Sequence, residues 1–166
     1  MNTKMVVRFG IFLALALLIG YLESLINLPF LFPGAKLGLA NIVGLLVLAY
    51  YGRKYYVLFA LLRVVLSALL FTGFGLSFFI SLGGMVLSVI TVIVVSKYTK
   101  ASIYGISCAS AIMHGLGQVI VVAIVYQTWL LLNYALFMAI LGLVTGLIAA
   151  GVAASILTRL KSVKES

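Results

Sequence analysis

The sequence predicts an all-α integral membrane protein, a bundle of six transmembrane helices with both termini in the cytoplasm. Three observations predict it. Hydrophobic residues make up 66% of the 166-residue chain and charged residues only 8%, against about 25% charged in a soluble domain. The mean hydropathy is +1.36, and a soluble fold of this size leaves too much of its surface wet to hide so many apolar side chains. The basic residues are also distributed unevenly along the chain, as a membrane orientation demands.

The elements follow from where apolar runs are interrupted. A helix needs about 20 apolar residues to cross about 30 Å of hydrocarbon. Helix 1 is expected over about 6–26, with Glu23 near its outer end. Lys4 and Arg8 precede the apolar run like the start of a signal peptide, but no small-residue cleavage site follows, so the segment reads as a retained helix. Helix 2 is expected over about 38–51, short enough to be tilted or preceded by a loop that dips into the bundle. Helices 3, 4 and 5 are expected over about 55–71, 76–96 and 103–126, and helix 6 over about 130–160. The whole chain, 1–166, reads as one transmembrane domain.

Orientation follows from the charges. With the termini inside, the inner set is Lys4, Arg8, Arg53, Lys54, Lys97, Lys100, Arg159, Lys161 and Lys164, nine of the eleven basic residues. Only Lys36 falls in an outer loop, and Arg63 lies within helix 3. The net charge of +9 is thus spread along one membrane face, which argues for no nucleic-acid partner. Tyr50, Tyr51, Tyr55, Tyr56 and Tyr98 are expected at the inner interface, and Tyr126 and Trp129 at the outer one.

Polar groups at membrane depth are candidates for function. Here they are Glu23, Lys36, Asn41, Arg63, His114 and Gln118. Arg63 and His114 fall near the midplane. Gln118 is one turn outward from His114 on the same helical face. Together they outline a substrate-binding cavity that opens outward. Each also has a plainer role: Arg63 snorkelling to the inner face, His114 packing in the core, Glu23 anchoring at the interface, Asn41 capping helix 2. The loop of about 27–37 holds both prolines of the chain, Pro29 and Pro33, with Phe30, Phe32 and Gly34 among them. Proline stiffens such a segment, and its aromatics suit a lid lying over the cavity, or else an ordinary interfacial hairpin.

Small residues form a second pattern. Gly142, Gly146, Ala150 and Ala154 recur every four residues, and Gly10, Ala14, Ala16 and Gly20 mark helix 1. Such stripes let helices approach closely, inside the bundle or, on helix 1, against another membrane subunit. Only two acidic residues occur and no Asp, and there is no phosphate loop. Carboxylate-metal prenyl transfer and autonomous ATP hydrolysis are therefore not expected. The chain reads as no enzyme and calls for no cofactor or metal.

The run Pro33-Gly34-Ala35-Lys36-Leu37-Gly38-Leu39-Ala40-Asn41-Ile42-Val43 resembles the signature of the Gx transporter family, often labelled heptaprenyl diphosphate synthase component I. Leu62-Arg63-Val64-Val65-Leu66, Ser81-Leu82-Gly83-Gly84 and His114-Gly115-Leu116-Gly117-Gln118 are similar to its later segments, with Gly115 where the family often has Asn. That family is similar to the substrate-binding S components of energy-coupling factor (ECF) transporters. The resemblance implies an S-component-like six-helix bundle in a bacterial cytoplasmic membrane, with the first outer loop closing over a ligand. It implies a transmembrane coupling subunit, contacted through small residues of helix 1, and two ATPase subunits. The solute expected is small, anionic or isoprenoid- or vitamin-like. The alternative is a non-transporting membrane subunit of prenyl diphosphate or quinone synthesis, or of flavin-linked electron transfer.

Overall fold

The computed structural model of the protein describes residues 2–25 and 38–165. Within them run six α-helices: α1 (Thr3–Leu25), α2 (Asn41–Tyr51), α3 (Arg53–Ser67), α4 (Leu76–Tyr98), α5 (Ile103–Val125) and α6 (Tyr134–Glu165). The expected lid over 27–37, with Lys36, Pro29, Phe30, Phe32, Pro33 and Gly34, lies outside the described residues.

Five of the helical segments are long and apolar enough to cross a membrane, α3 doing so with the π-helical turn Ala68–Thr72 that extends it. They leave large apolar side chains on the outside, among them Ile11, Leu18, Leu69, Ile90, Ile124 and Leu136. In water such a surface would aggregate; in a bilayer it is the ordinary exterior. The protein is therefore a multi-pass, all-α membrane bundle.

α2 is the exception in length. Its 11 residues rise only about 16 Å, half of a hydrocarbon core. It starts at Asn41 rather than at 38, because Gly38 adopts φ +87°, outside the helical region. Val43, Gly44, Leu45, Leu46 and Val47 are all buried, so α2 is apolar around its circumference, as a central helix must be. Val43 and Val47 pack with Phe9, Ala16 and Phe59 of α1 and α3. Leu45 and Leu46 pack with Ala149 and Ala153 of α6. Gly52, at φ +80°, breaks the chain between α2 and α3, so α3 begins at Arg53, two residues before the expected start.

α5 packs most extensively, against α4 on one side and α6 on the other. Glycines set these crossings. A methyl on Gly142 would lie 2.8 Å from the Ala111 carbonyl oxygen, and one on Gly146 would lie 2.8 Å from Cys108 Cα. The Ser107 hydroxyl donates to the Gly146 carbonyl at 2.7 Å, so the close approach also permits an interhelical hydrogen bond. Gly142 and Gly146 of the small-residue stripe are buried at this seam, and Ala150 is buried as well.

α1 is the most loosely held of the long helices, with only Phe9, Ala16 and Glu23 buried. Its stripe of small residues divides. Gly10 and Ala14 are exposed, but Ala16 has no exposed surface and Gly20 is turned inward. Ala16 therefore cannot belong to an outward docking face, because helical rotation places it on the bundle side, while the half-buried Gly20 borders the interior. Tyr56 is likewise corrected: expected at the inner interface, it is buried between α3 and α4 with Val64, Met85 and Val89.

Candidate functional site

Glu23 sits two residues before the end of α1 and is 7% exposed. Its Oε1 accepts a hydrogen bond from the Gly38 N–H at 2.6 Å, and its Oε2 accepts one from the Leu39 N–H at 3.2 Å. These are donors of the turn that leads into α2, where Asn41 N–H and Ile42 N–H in turn reach the Gly38 and Leu39 carbonyls. The side-chain oxygens of one helix thus satisfy the backbone at the start of another. Ala40 occupies the N-cap and offers no side chain for the purpose, so Asn41 is the first helical residue and not the cap. The partial positive charge at a helix N-terminus favours a carboxylate there. Only a left-handed Gly38 points both N–H groups the same way, and a side chain at that position would be strained.

Removing this carboxylate is expected to be costly. Glu23→Gln keeps the size but replaces one acceptor by a donor facing backbone N–H. The chain should lose about 2 kcal/mol of stability in detergent, the usual scale for a hydrogen bond to a charged group. Unfolding titrations of the variant check this, and an unchanged midpoint contradicts it.

Glu23 faces a cavity of about 30 Å³ lined also by Leu17, Ala16 and Gly20 of α1, Gly38 and Ala40, Arg63, Val64 and Ser67 of α3, Ser81 of α4 and His114 of α5. Arg63 lies within electrostatic reach of both Glu23 and Tyr56. It also lines a second, smaller cavity of about 10 Å³ with Asn41, Tyr56, Met85 and Ser88. Its side chain therefore occupies the interior of the bundle, between the two cavities, rather than the lipid-facing side of α3. His114 is 5% exposed. Its ring is held against Gly84, where an added methyl would stand 2.8 Å from Cε1, and near Gly38, where one would stand 3.7 Å from Cδ2.

Of the six polar residues expected to meet, three do so in the larger cavity: Glu23, Arg63 and His114. Asn41 lines the smaller one, and its Nδ2 is buried without a hydrogen-bond partner. Gln118 has no exposed surface and lines neither cavity. Lys36 lies outside the described residues. Polar residues not expected there join them: Ser67 and Ser81 line the larger cavity, and Tyr56 and Ser88 line the smaller one. Ser67 is four residues after Arg63 and Tyr56 seven before it, both on the Arg63 face by helical periodicity, so that signal was available. Ser81 reaches the cavity only through the packing of α4, which periodicity does not supply. Its Oγ is buried and unpartnered.

Chemically the cavity offers one guanidinium fork, one carboxylate committed to backbone N–H groups, an imidazole and two hydroxyls. That set recognises a polar group by charge and hydrogen bonds. Among the described residues, no three His, Cys, Asp or Glu side chains come together as a metal site would require.

A family model described as heptaprenyl diphosphate synthase component I matches residues 12–157. No curated protein matches the chain, and no solved structure does.

Proposed function

The chain belongs to the heptaprenyl diphosphate synthase component I family, and we propose that it is the solute-binding S component of an ECF-type uptake transporter. One observation carries the reading: Glu23, Arg63, His114, Ser67 and Ser81 converge on a single cavity inside a largely apolar bundle. Charged and polar groups are expensive at membrane depth, and where they converge they mark a binding site or a pathway.

In this reading Arg63 grips the anionic group of a small solute through its planar fork. His114, Ser67 and Ser81 orient it, and the apolar walls take an isoprenoid- or vitamin-like body. At about 30 Å³ the cavity accommodates only one or two waters, so taking up a solute requires it to widen. Opening requires the start of α2 to move, and the Glu23 hydrogen bonds to Gly38 and Leu39 are the clasp that holds it. The exposed Gly10 and Ala14 of α1 would meet the transmembrane coupling subunit, and two ATPases would supply the energy. The setting is a bacterial cytoplasmic membrane.

The family's description favours a second reading, a non-catalytic membrane subunit of prenyl diphosphate synthesis. Arg53, Lys54, Lys97 and Lys100 would then form the docking surface. Affinity purification of the tagged chain separates the two. Recovery with a membrane coupling subunit and ATPases is the expected result. Recovery with a synthase and no ATPase overturns the transport reading.

A further inference from the structure

The inner end of the α1–α2 pair carries a second site, far from the cavity. Arg8, Ile11 and Phe12 of α1 and Tyr50 and Tyr51 of α2 enclose a groove of about 410 Å³, within the range of small-ligand pockets, about 300–1,000 Å³. Aromatic packing makes its wall firm. Phe12 stacks on Tyr50 with centroids 6.3 Å apart and an interplanar angle of 22°, and Tyr51 is held edge-on by Phe9, Phe12 and Tyr55.

Two features say what fills it. The first is charge. Arg8 is exposed, with the exposed Lys4 one turn before it on the same face. The nearest carboxylate on their helix is Glu23, about 22 Å along the axis from Arg8. Glu23 is the only carboxylate among the described side chains, so the described residues offer Arg8 no counter-charge, and an anionic group of another molecule suits the position. The second is shape. Above Arg8, Ile11, Leu15, Leu18 and Leu22 follow at alternating steps of three and four, all exposed. They form one apolar track along α1 that begins at the cation. A cationic, tyrosine-lined head site continuous with an apolar track matches an amphiphile and not a free phosphate.

We propose that this groove binds an anionic phospholipid of the inner leaflet. Arg8 holds the phosphate, Tyr50 and Tyr51 border the headgroup, and an acyl chain lies along Ile11, Leu15 and Leu18. Basic pockets between transmembrane helices at the cytoplasmic surface recognise anionic headgroups by this chemistry.

The test uses the full chain in bilayer discs of equal parts phosphatidylglycerol and phosphatidylcholine. It is then extracted in mild detergent, and the retained lipid is identified by native mass spectrometry. Phosphatidylglycerol should be retained selectively, and Arg8→Gln should lower its retention about tenfold, the scale for losing a charge-assisted hydrogen bond. Arg53→Gln, a cation on the same side of the membrane but outside the groove, should leave retention unchanged. Because Arg8 also helps orient α1, the charge-neutral Tyr50→Ala is the second variant, and it too should lower retention. Equal retention of the two lipids, equal losses in Arg8→Gln and Arg53→Gln, or no loss in either groove variant overturns the proposal. So does displacement of the lipid by millimolar glycerol phosphate, which would make the site one for a soluble anion.

Discussion

Gly117→Ala is expected to cost about 3 kcal/mol of stability, the upper end for overpacking a tight interface. The added methyl meets backbone, not a side chain that can turn aside: it would stand 2.8 Å from the Gly83 carbonyl carbon and 2.9 Å from Gly84 Cα, with the Gly83 oxygen nearer still. α4 and α5 would have to separate at the level of His114. The same movement carries the imidazole away from Arg63, so solute binding should fall together with stability. Gly10→Ala is the contrast. Nothing lies within 4 Å of a methyl there, and alanine is the better helix former by about 1 kcal/mol. That variant should be as stable as the parent or slightly more so. Unfolding titrations in detergent compare the two, and equal midpoints would mean that the α4–α5 seam is looser than described.

Arg63→Gln is expected to have the largest effect on binding. The guanidinium is the one cation lining the larger cavity among the described residues. Truncating one partner of a desolvated, hydrogen-bonded charge pair costs about 2–3 kcal/mol at least, or about 30- to 150-fold in affinity. Arg63→Lys keeps the charge and loses the planar fork, so it should fall between. Solute uptake by cells carrying the proposed coupling and ATPase subunits, or equilibrium binding to the purified chain, reads the series. Equal uptake in all three would place the charge outside the pathway.

The two variants test different levels of legibility. Apolar run lengths and the breaks between them located the helices within a few residues, because crossing a bilayer imposes a length and breaking a helix requires glycine, proline or charge. Gly38 shows the limit. It lies in an apolar stretch and passes for helix, and only its positive φ makes it the turn that presents two N–H groups to Glu23. The cavity was legible in part for a similar reason. Depth in the membrane follows from position along a helix, and that singled out Glu23, Arg63 and His114. Which helices share a wall does not follow from depth. Gln118, one turn from His114, is therefore sealed in the core rather than at the cavity. Ser81 arrives from a helix whose rotation is set by the contact of Gly83 and Gly84 with Gly117 and His114. The division of the α1 stripe has the same origin: spacing marked Gly10, Ala14, Ala16 and Gly20 alike, and packing turned Ala16 inward.

The clasp also gives the family description a physical context. A carboxylate held by two backbone N–H groups at the entrance to α2 is a structural device, and in the proposed reading its neighbour Arg63 is the recognition device. Both proposed readings, a solute-binding component and a non-catalytic membrane subunit, are compatible with a membrane-helical member of this family.

The central claim is that the Arg63 cavity binds a small anionic solute. It is tested most directly by purifying the chain and its Arg63→Gln variant from host membranes and identifying retained small molecules by mass spectrometry. The expected result is one anionic compound, present in near-equal amount with the parent chain and missing from the variant. The same small-molecule content in both, or none in either while the chain remains folded, would contradict the claim.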